Sequence, residues 1–279
     1  MKTCYNQATT LRSSNLAQTL KYAEEAGFDF IELWISSFGE YFSSYSVCDL
    51  RNYFVKNRIK PLALDSFEDI NFRKGKSYYD LLYEFERACN MAAEIDCKNI
   101  VLVPTIEPGL SKKYSAKDSY DDSVAVLSRL GEIAHGYNVN AAFEPIGFAD
   151  CAVRTMWQGL EIVQTVNLDN VGLALDVFNL YLGSQLKDLD VIEQIDPNKI
   201  FIFHINDAPI MDSGAYKLDH SDRVFPGDGA LPVREMITAL KKSGYRKAAS
   251  VEIFNRKVDS MNPRDAIHMA YKKTTQFLC

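Results

Sequence analysis

Short apolar runs alternate with helical patterns from one end of the chain to the other. Runs at 2–6, 28–34 (FDFIELW), 60–65 (KPLALD), 99–104 (NIVLVP), 139–145 (VNAAFEP), 171–177 (VGLALDV), 201–209 (FIFHINDAP) and 248–254 (AASVEIF) read as strands. Near-continuous apolar runs of this length mark strands buried on both faces, as in a parallel sheet. Helical patterns fill the gaps. One runs from Asn15 to a terminating Gly27, and others lie near 46–57, 78–94 and 119–135. The pattern at 78–94 carries Leu81, Phe85, Ala88 and Ala92 at helical spacing. A fifth has Met156, Leu160 and Val163 on one face, and a weaker one lies near 187–195. Pro232 starts another at its first helical position and Gly244 ends it, while Asn262-Pro263 announces the last. Eight strand–helix units predict an α/β fold, a single-domain (β/α)8 barrel of the TIM type over residues 1–279. An open doubly wound sheet would ordinarily carry a Gly-rich phosphate turn after its first strand. None is present.

The polar residues break this pattern at one place in each of four strands. Glu144, Asp176, His204 and Glu252 stand at the C-terminal ends of the last four apolar runs. Side chains alternate along a strand, so Glu144 shares a face with Ala142, Asp176 with Ala174, His204 with Ile202 and Glu252 with Ser250. Phe143, Leu175, Phe203 and Ile253 take the opposite faces, where helices would pack. Loop lengths point to the same end of the barrel. Helix-to-strand connections are short, whereas 66–77, 105–118 and 207–231 are long strand-to-helix connections, and barrels keep their active sites there. The 207–231 loop, with Arg223 and the turn Pro226-Gly227-Asp228-Gly229, is expected to cover the site, with Arg223 available to substrate oxygens.

Alone, each of the four would solvate the mouth or cap a helix. Together, three carboxylates in a partly buried mouth repel one another, and a divalent cation removes that cost. The set therefore predicts one bound divalent ion (Mn, Co, Zn or Mg), which the residue types do not choose among. Such an ion polarises a carbonyl, and Glu144 and Glu252 can then remove and return a proton at the neighbouring carbon. These are the roles that a sugar isomerase or epimerase needs.

Composition narrows the partners. A 47% hydrophobic content over 279 residues supports a large core, and a formal net charge of −6 disfavours nucleic acid. Six cysteines without paired zinc-type spacing read as free thiols. The N-terminus MKTCYNQATT has no apolar leader region, so the expectation is a cytoplasmic protein without a membrane partner. A homo-oligomer stays open.

The order FEP (143–145), LALDVFN (173–179), HINDAP (204–209), DRVFPGDG (222–229) and SVEIF (250–254) resembles the xylose-isomerase-like sugar isomerase/epimerase barrels. Including NQATTL (6–11), PLAL (61–64) and NVGLALD (170–176), the whole chain looks like the branch that isomerises inososes in inositol catabolism. The resemblance implies metal ligands Glu144, Asp176, His204 and Glu252, with Glu144 and Glu252 doubling as acid and base. It implies substrate contact by Arg223, and a keto-inositol substrate (2-keto-myo-inositol to 1-keto-D-chiro-inositol type) reacting through a cis-enediolate. The family commonly has a histidine on the substrate hydroxyls three residues after the strand-six aspartate. Asn179 stands there, able to hydrogen-bond but not to carry a charge.

Ketose 3-epimerases, hydroxypyruvate isomerases and inosose dehydratases use the same four ligands and remain alternatives, as does a non-catalytic sugar-binding barrel. An abasic-site endonuclease needs a histidine-rich trinuclear zinc cluster. Of the four histidines only His204 ends a strand, so that reading is rejected. A phosphosugar would call for a cradle, for which Gly227–Gly229 with Arg223 or Lys217 are weak candidates. Asp207 and Asp228 read as solvated loop acids, or as groups orienting His204 or a hydroxyl. Glu32 either supports the site or pairs with a lysine, and Trp34 and Phe67 either wall the sugar or pack.

Overall fold

A computed structural model describes residues 1–184, 189–209 and 218–278. Eight parallel strands close a barrel in sequential order: β1 (Lys2–Asn6), β2 (Phe30–Trp34), β3 (Lys60–Phe67), β4 (Asn99–Leu102), β5 (Asn140–Phe143), β6 (Val171–Asp176), β7 (Ile200–Ile205) and β8 (Ala248–Val251). β8 pairs back onto β1, with Cys4 opposite Ser250.

The alternation along each strand sorts the core into two layers. Ala63, Val101, Ala142, Ala174 and Ile202 form a cluster of their own inside the barrel. Phe143, Leu175, Phe203 and Ile253 belong to the larger cluster shared with the surrounding helices. Small residues inside leave the barrel's upper end open to larger polar ones.

Helices at Leu16–Ala26, Val47–Lys56, Lys76–Glu94, Ala116–Gly136, Met156–Val166 and Pro263–Leu278 stand where the patterns place them. Gly27 and Gly244 end their helices with φ of +106° and +97°, the left-handed region that a side chain resists. Two details differ. Pro232 is the cap before Val233–Ser243 rather than its first helical residue. Within the helix expected near 187–195 only Leu189–Ile192 is helical, and residues 187–188 lie outside the described residues. An unforeseen helix, Val177–Ser184, begins directly after β6. It is almost wholly buried, so it has no amphipathic period to betray it.

Several expected strands stop short. β7 ends at Ile205 and β8 at Val251, and past β7 the backbone of Asp207 pairs with Val224 of its own loop. Cys4, Cys89, Cys97 and Cys151 are free and buried, and Cys48 is free and exposed; Cys279 lies outside the described residues. Among the described residues no helix is long and apolar enough to cross a membrane.

Candidate metal centre

Each of the last four strands delivers one group to the barrel mouth. Asp176 ends β6 and His204 is next to last in β7, and the two are register partners. Glu144 and Glu252 follow β5 and β8 directly. Their backbone N–H groups still donate to Leu102 O (2.9 Å) and Ile205 O (3.4 Å), so the ladder aims them. Ligand-capable atoms of Glu144, Asp176, His204 and Glu252 all lie within 4.8 Å of one another, and all four residues are buried.

The imidazole divides its nitrogens between two tasks. Nε2 lies 3.2 Å from Glu32 Oε1. Nδ1 faces Glu144 Oε1 at 3.5 Å and Glu252 Oε2 at 3.6 Å and has no hydrogen-bond partner. A buried polar atom without a partner is costly, and a cation between Nδ1 and the carboxylates would satisfy it.

Electrostatics agree. Burial pushes Glu252 up to about 7, a rise that His204 and Arg223 oppose and that Glu144 and Asp176 reinforce. Burial, with Glu252 and Glu32, also lifts Asp65 well above the usual carboxylate range. For His204 burial disfavours the charged ring, yet Glu252, Glu32 and Glu144 outweigh it and raise the group well above its ordinary value. Positive charge is what this cluster lacks. Three oxygen donors and one nitrogen fit a single divalent ion.

Amides hold the acids in place. Asn6, at the end of β1, donates to Asp65 Oδ2 (2.6 Å) and Glu252 Oε1 (3.1 Å). Asn206 donates to Asp176 Oδ2 and accepts from the Phe178 N–H. Asn179 Nδ2 donates to Glu144 Oε1 at 2.9 Å, and its backbone N–H to Asp176 Oδ1 at 2.6 Å. A Cβ at Gly147 would collide with the backbone of Asn179 and Gly183, so glycine lets the loop after β5 close onto the Val177–Ser184 helix.

Arg223 spans Asp176 (3.3 Å) and Glu252 (3.7 Å). It is 1% exposed, with its guanidinium 4.6 Å from the Phe178 ring centroid and 5.1 Å from that of Phe254. Above the cluster opens a cavity of about 580 Å³ lined by Trp34, Glu144, Asn179, His220, Arg223 and Glu252, among others. That is the size of a small-molecule site.

The remaining sequence candidates resolve differently. Glu32 is fully buried and pairs with His204, not with a lysine. Phe67 packs on Phe85 and lines a separate apolar cavity, so only Trp34 of the two reaches the mouth. Asp207 is no solvated acid and does not orient His204. Its carboxylate accepts from the N–H groups of Gly227, Gly229 (both 3.0 Å), Leu231 and Ala208, pinning the loop that carries Arg223. The glycine-turn amides proposed for a phosphate are therefore taken, and Lys217 lies outside the described residues. Asp228 pairs with Lys273.

Four residues went unread: Asn6, Asp65, Asn206 and His220. A signal existed for Asp65, because Leu62-Ala63-Leu64-Asp65 repeats the Leu173-Ala174-Leu175-Asp176 of β6 letter for letter. Both put an aspartate at the inner side of a strand end.

A model of the xylose isomerase-like TIM barrel family matches residues 20–276. The chain belongs to that family. Within it, this barrel is 38% identical over 278 residues to an inosose isomerase of Halalkalibacterium halodurans, covering 99% of this chain and 96% of the relative. It is 39% identical over 277 residues to the inosose isomerase of Bacillus subtilis, with coverage of 99% and 96%. A crystal structure of IOLI protein with a bound zinc atom superimposes with a TM-score of 0.94 at 36% identity, covering 100% of this chain and 98% of that one. The relatives make an isomerase of this family member, and that neighbour's zinc accords with the buried acid–imidazole cluster found here.

Proposed function

We propose that the chain is a divalent-metal-dependent isomerase of keto-inositols, moving a ring ketone to the adjacent carbon. The observation that carries this reading is the convergence of Glu144, Asp176, His204 and Glu252 within 4.8 Å at the mouth. Inosose isomerases 36–39% identical over nearly the full chain support the substrate class.

Glu144, Asp176, His204 and Glu252 would hold the ion. When bound, it supplies Lewis acidity that polarises a ketone and favours negative charge on neighbouring oxygens. Glu252 takes the proton from the hydroxyl-bearing carbon next to the ketone. The hydroxyl proton passes to the former carbonyl oxygen by way of a cis-enediolate, so each oxygen ends in the protonation state that its new carbon requires. Glu144, which faces the same His204 nitrogen as Glu252, gives a proton to the former carbonyl carbon, and in the reverse direction the two glutamates exchange tasks. The new ketone stands one carbon along, with no net change in oxidation.

Substrate is held by groups whose valences the protein leaves open. Asn179 Oδ1 and Arg223 Nε are buried without hydrogen-bond partners among the described residues. They would accept from one substrate hydroxyl and donate to the oxygen of another respectively. Trp34 and Phe254, 5.8 Å apart and nearly perpendicular, wall the entry and exclude water.

Proton NMR in D2O, with metal added, over a panel of inososes, ketohexoses and hydroxypyruvate tests the proposal. Deuterium should wash in beside the inosose ketone. Wash-in on a ketohexose alone would make the chain a 3-epimerase. Stoichiometric metal with no exchange on any member would leave a binding barrel.

A further inference from the structure

The loop after β7 carries a second imidazole, and its surroundings fix which nitrogen bears the proton. His220 Nδ1 lies 2.7 Å from Arg223 Nη1. A guanidinium only donates, so Nδ1 must offer its lone pair and the single ring proton must sit on Nε2. The ring itself is flanked by two others. It packs against Phe148 (centroids 4.6 Å) and Phe254 (5.5 Å), at interplanar angles of 64° and 65°. Its backbone turn is tied down too. Asp219 caps the turn through the Ser221 N–H, and Asn255 donates to the carbonyls of Ser221 and Arg223 at 3.0 Å each. Burial and the nearby Arg223 charge push the ring's pKa down to about 4, so it stays neutral at working pH. Nε2 makes no hydrogen bond to a described residue, and the ring lines the same cavity as Glu144, Asn179 and Glu252.

We infer that His220 is a substrate-binding donor: Arg223 locks it as the Nε2–H tautomer, and that N–H meets a hydroxyl oxygen of the bound polyol. The inference rests on the keto-inositol reading of the site. It adds a neutral donor between the Phe148 and Phe254 rings of the cavity. A site built to donate to an oxygen selects against an analogue lacking it, because the donor is then buried unpaired.

The test uses the metal-loaded full chain. In two-bond proton–nitrogen NMR with labelled histidine, the His220 signal, assigned by its loss in His220→Asn, should show a bare Nδ1 and a protonated Nε2. Asn keeps an acceptor for Arg223 but has no donor at the Nε2 position, whereas Gln places an amide nitrogen there. His220→Asn should raise KM for inosose roughly three- to tenfold, the cost of one hydrogen bond, with kcat nearly unchanged. His220→Gln should recover most of that loss. A proton on Nδ1 would overturn the inference, and so would an unchanged KM in His220→Asn. Equal losses of kcat and metal content in both variants would do the same, leaving His220 a prop for Arg223. If the wild type exchanges no inosose proton, the isomerase reading falls instead. The His220 shift on adding inosose then decides the donor, and no response would overturn that as well.

Discussion

Glu32 Oε1 lies 3.2 Å from His204 Nε2, across 172 residues of sequence and the width of the barrel. This contact turns Nδ1 toward Glu144 and Glu252. A carboxylate on the far nitrogen of a ligating imidazole sets both its tautomer and its basicity. Glu32→Gln should leave the fold intact and weaken zinc binding by about 10–100-fold in a chelator competition. Unaltered affinity would show that Glu32 does not orient His204.

Glu252→Gln keeps an oxygen for Asn6 Nδ2 but loses the base. Deuterium exchange into inosose should fall by about 10²–10⁴-fold, the usual worth of a positioned acid or base. The melting temperature should move little. Metal content measured on the same sample separates a lost ligand from a lost base, and exchange at the wild-type rate would remove Glu252 from the mechanism.

Asn179 donates to Glu144, and its Oδ1 has no hydrogen-bond partner among the described residues. Asn179→His, which restores the residue common in the family, should shift preference from inososes toward other ketoses. The readout is kcat/KM over the substrate panel. A profile identical to wild type would mean that position 179 does not read the substrate.

Asp207 is 2% exposed and accepts four backbone N–H groups of its own loop. Asp207→Ala strands the buried N–H groups of Ala208 and Leu231 at about 1–3 kcal/mol each, while those of Gly227 and Gly229 can turn to water. Urea unfolding should show a loss of at least about 2 kcal/mol, and limited proteolysis should cut within 207–231. Activity should fall with it, because the same loop seats Arg223. Wild-type resistance to both would disprove the anchoring role.

Much of this molecule was written in one dimension. Eight apolar runs and their intervening helical periods specify a parallel barrel, because burial on both faces leaves strands no polar side. The inner-face parity of Ala142 with Glu144, and of Ala174 with Asp176, aims those acids at the mouth whatever the neighbouring strands do. Glu144, Asp176, His204 and Glu252 were legible for that reason.

Tertiary structure decided what depends on closure and on loops. Asn6 and Glu252 are 246 residues apart and meet because β8 returns to β1. Glu32 and His204 meet across the barrel, a distance that no strand periodicity encodes. Asp207 looked like a surface acid because exposure is settled by where a loop folds back, and this one folds onto the carboxylate. The tautomer of His220 likewise follows from Arg223 and two aromatic rings gathered from three segments. Local alternation tells which way a side chain points; only the folded chain tells what it finds there.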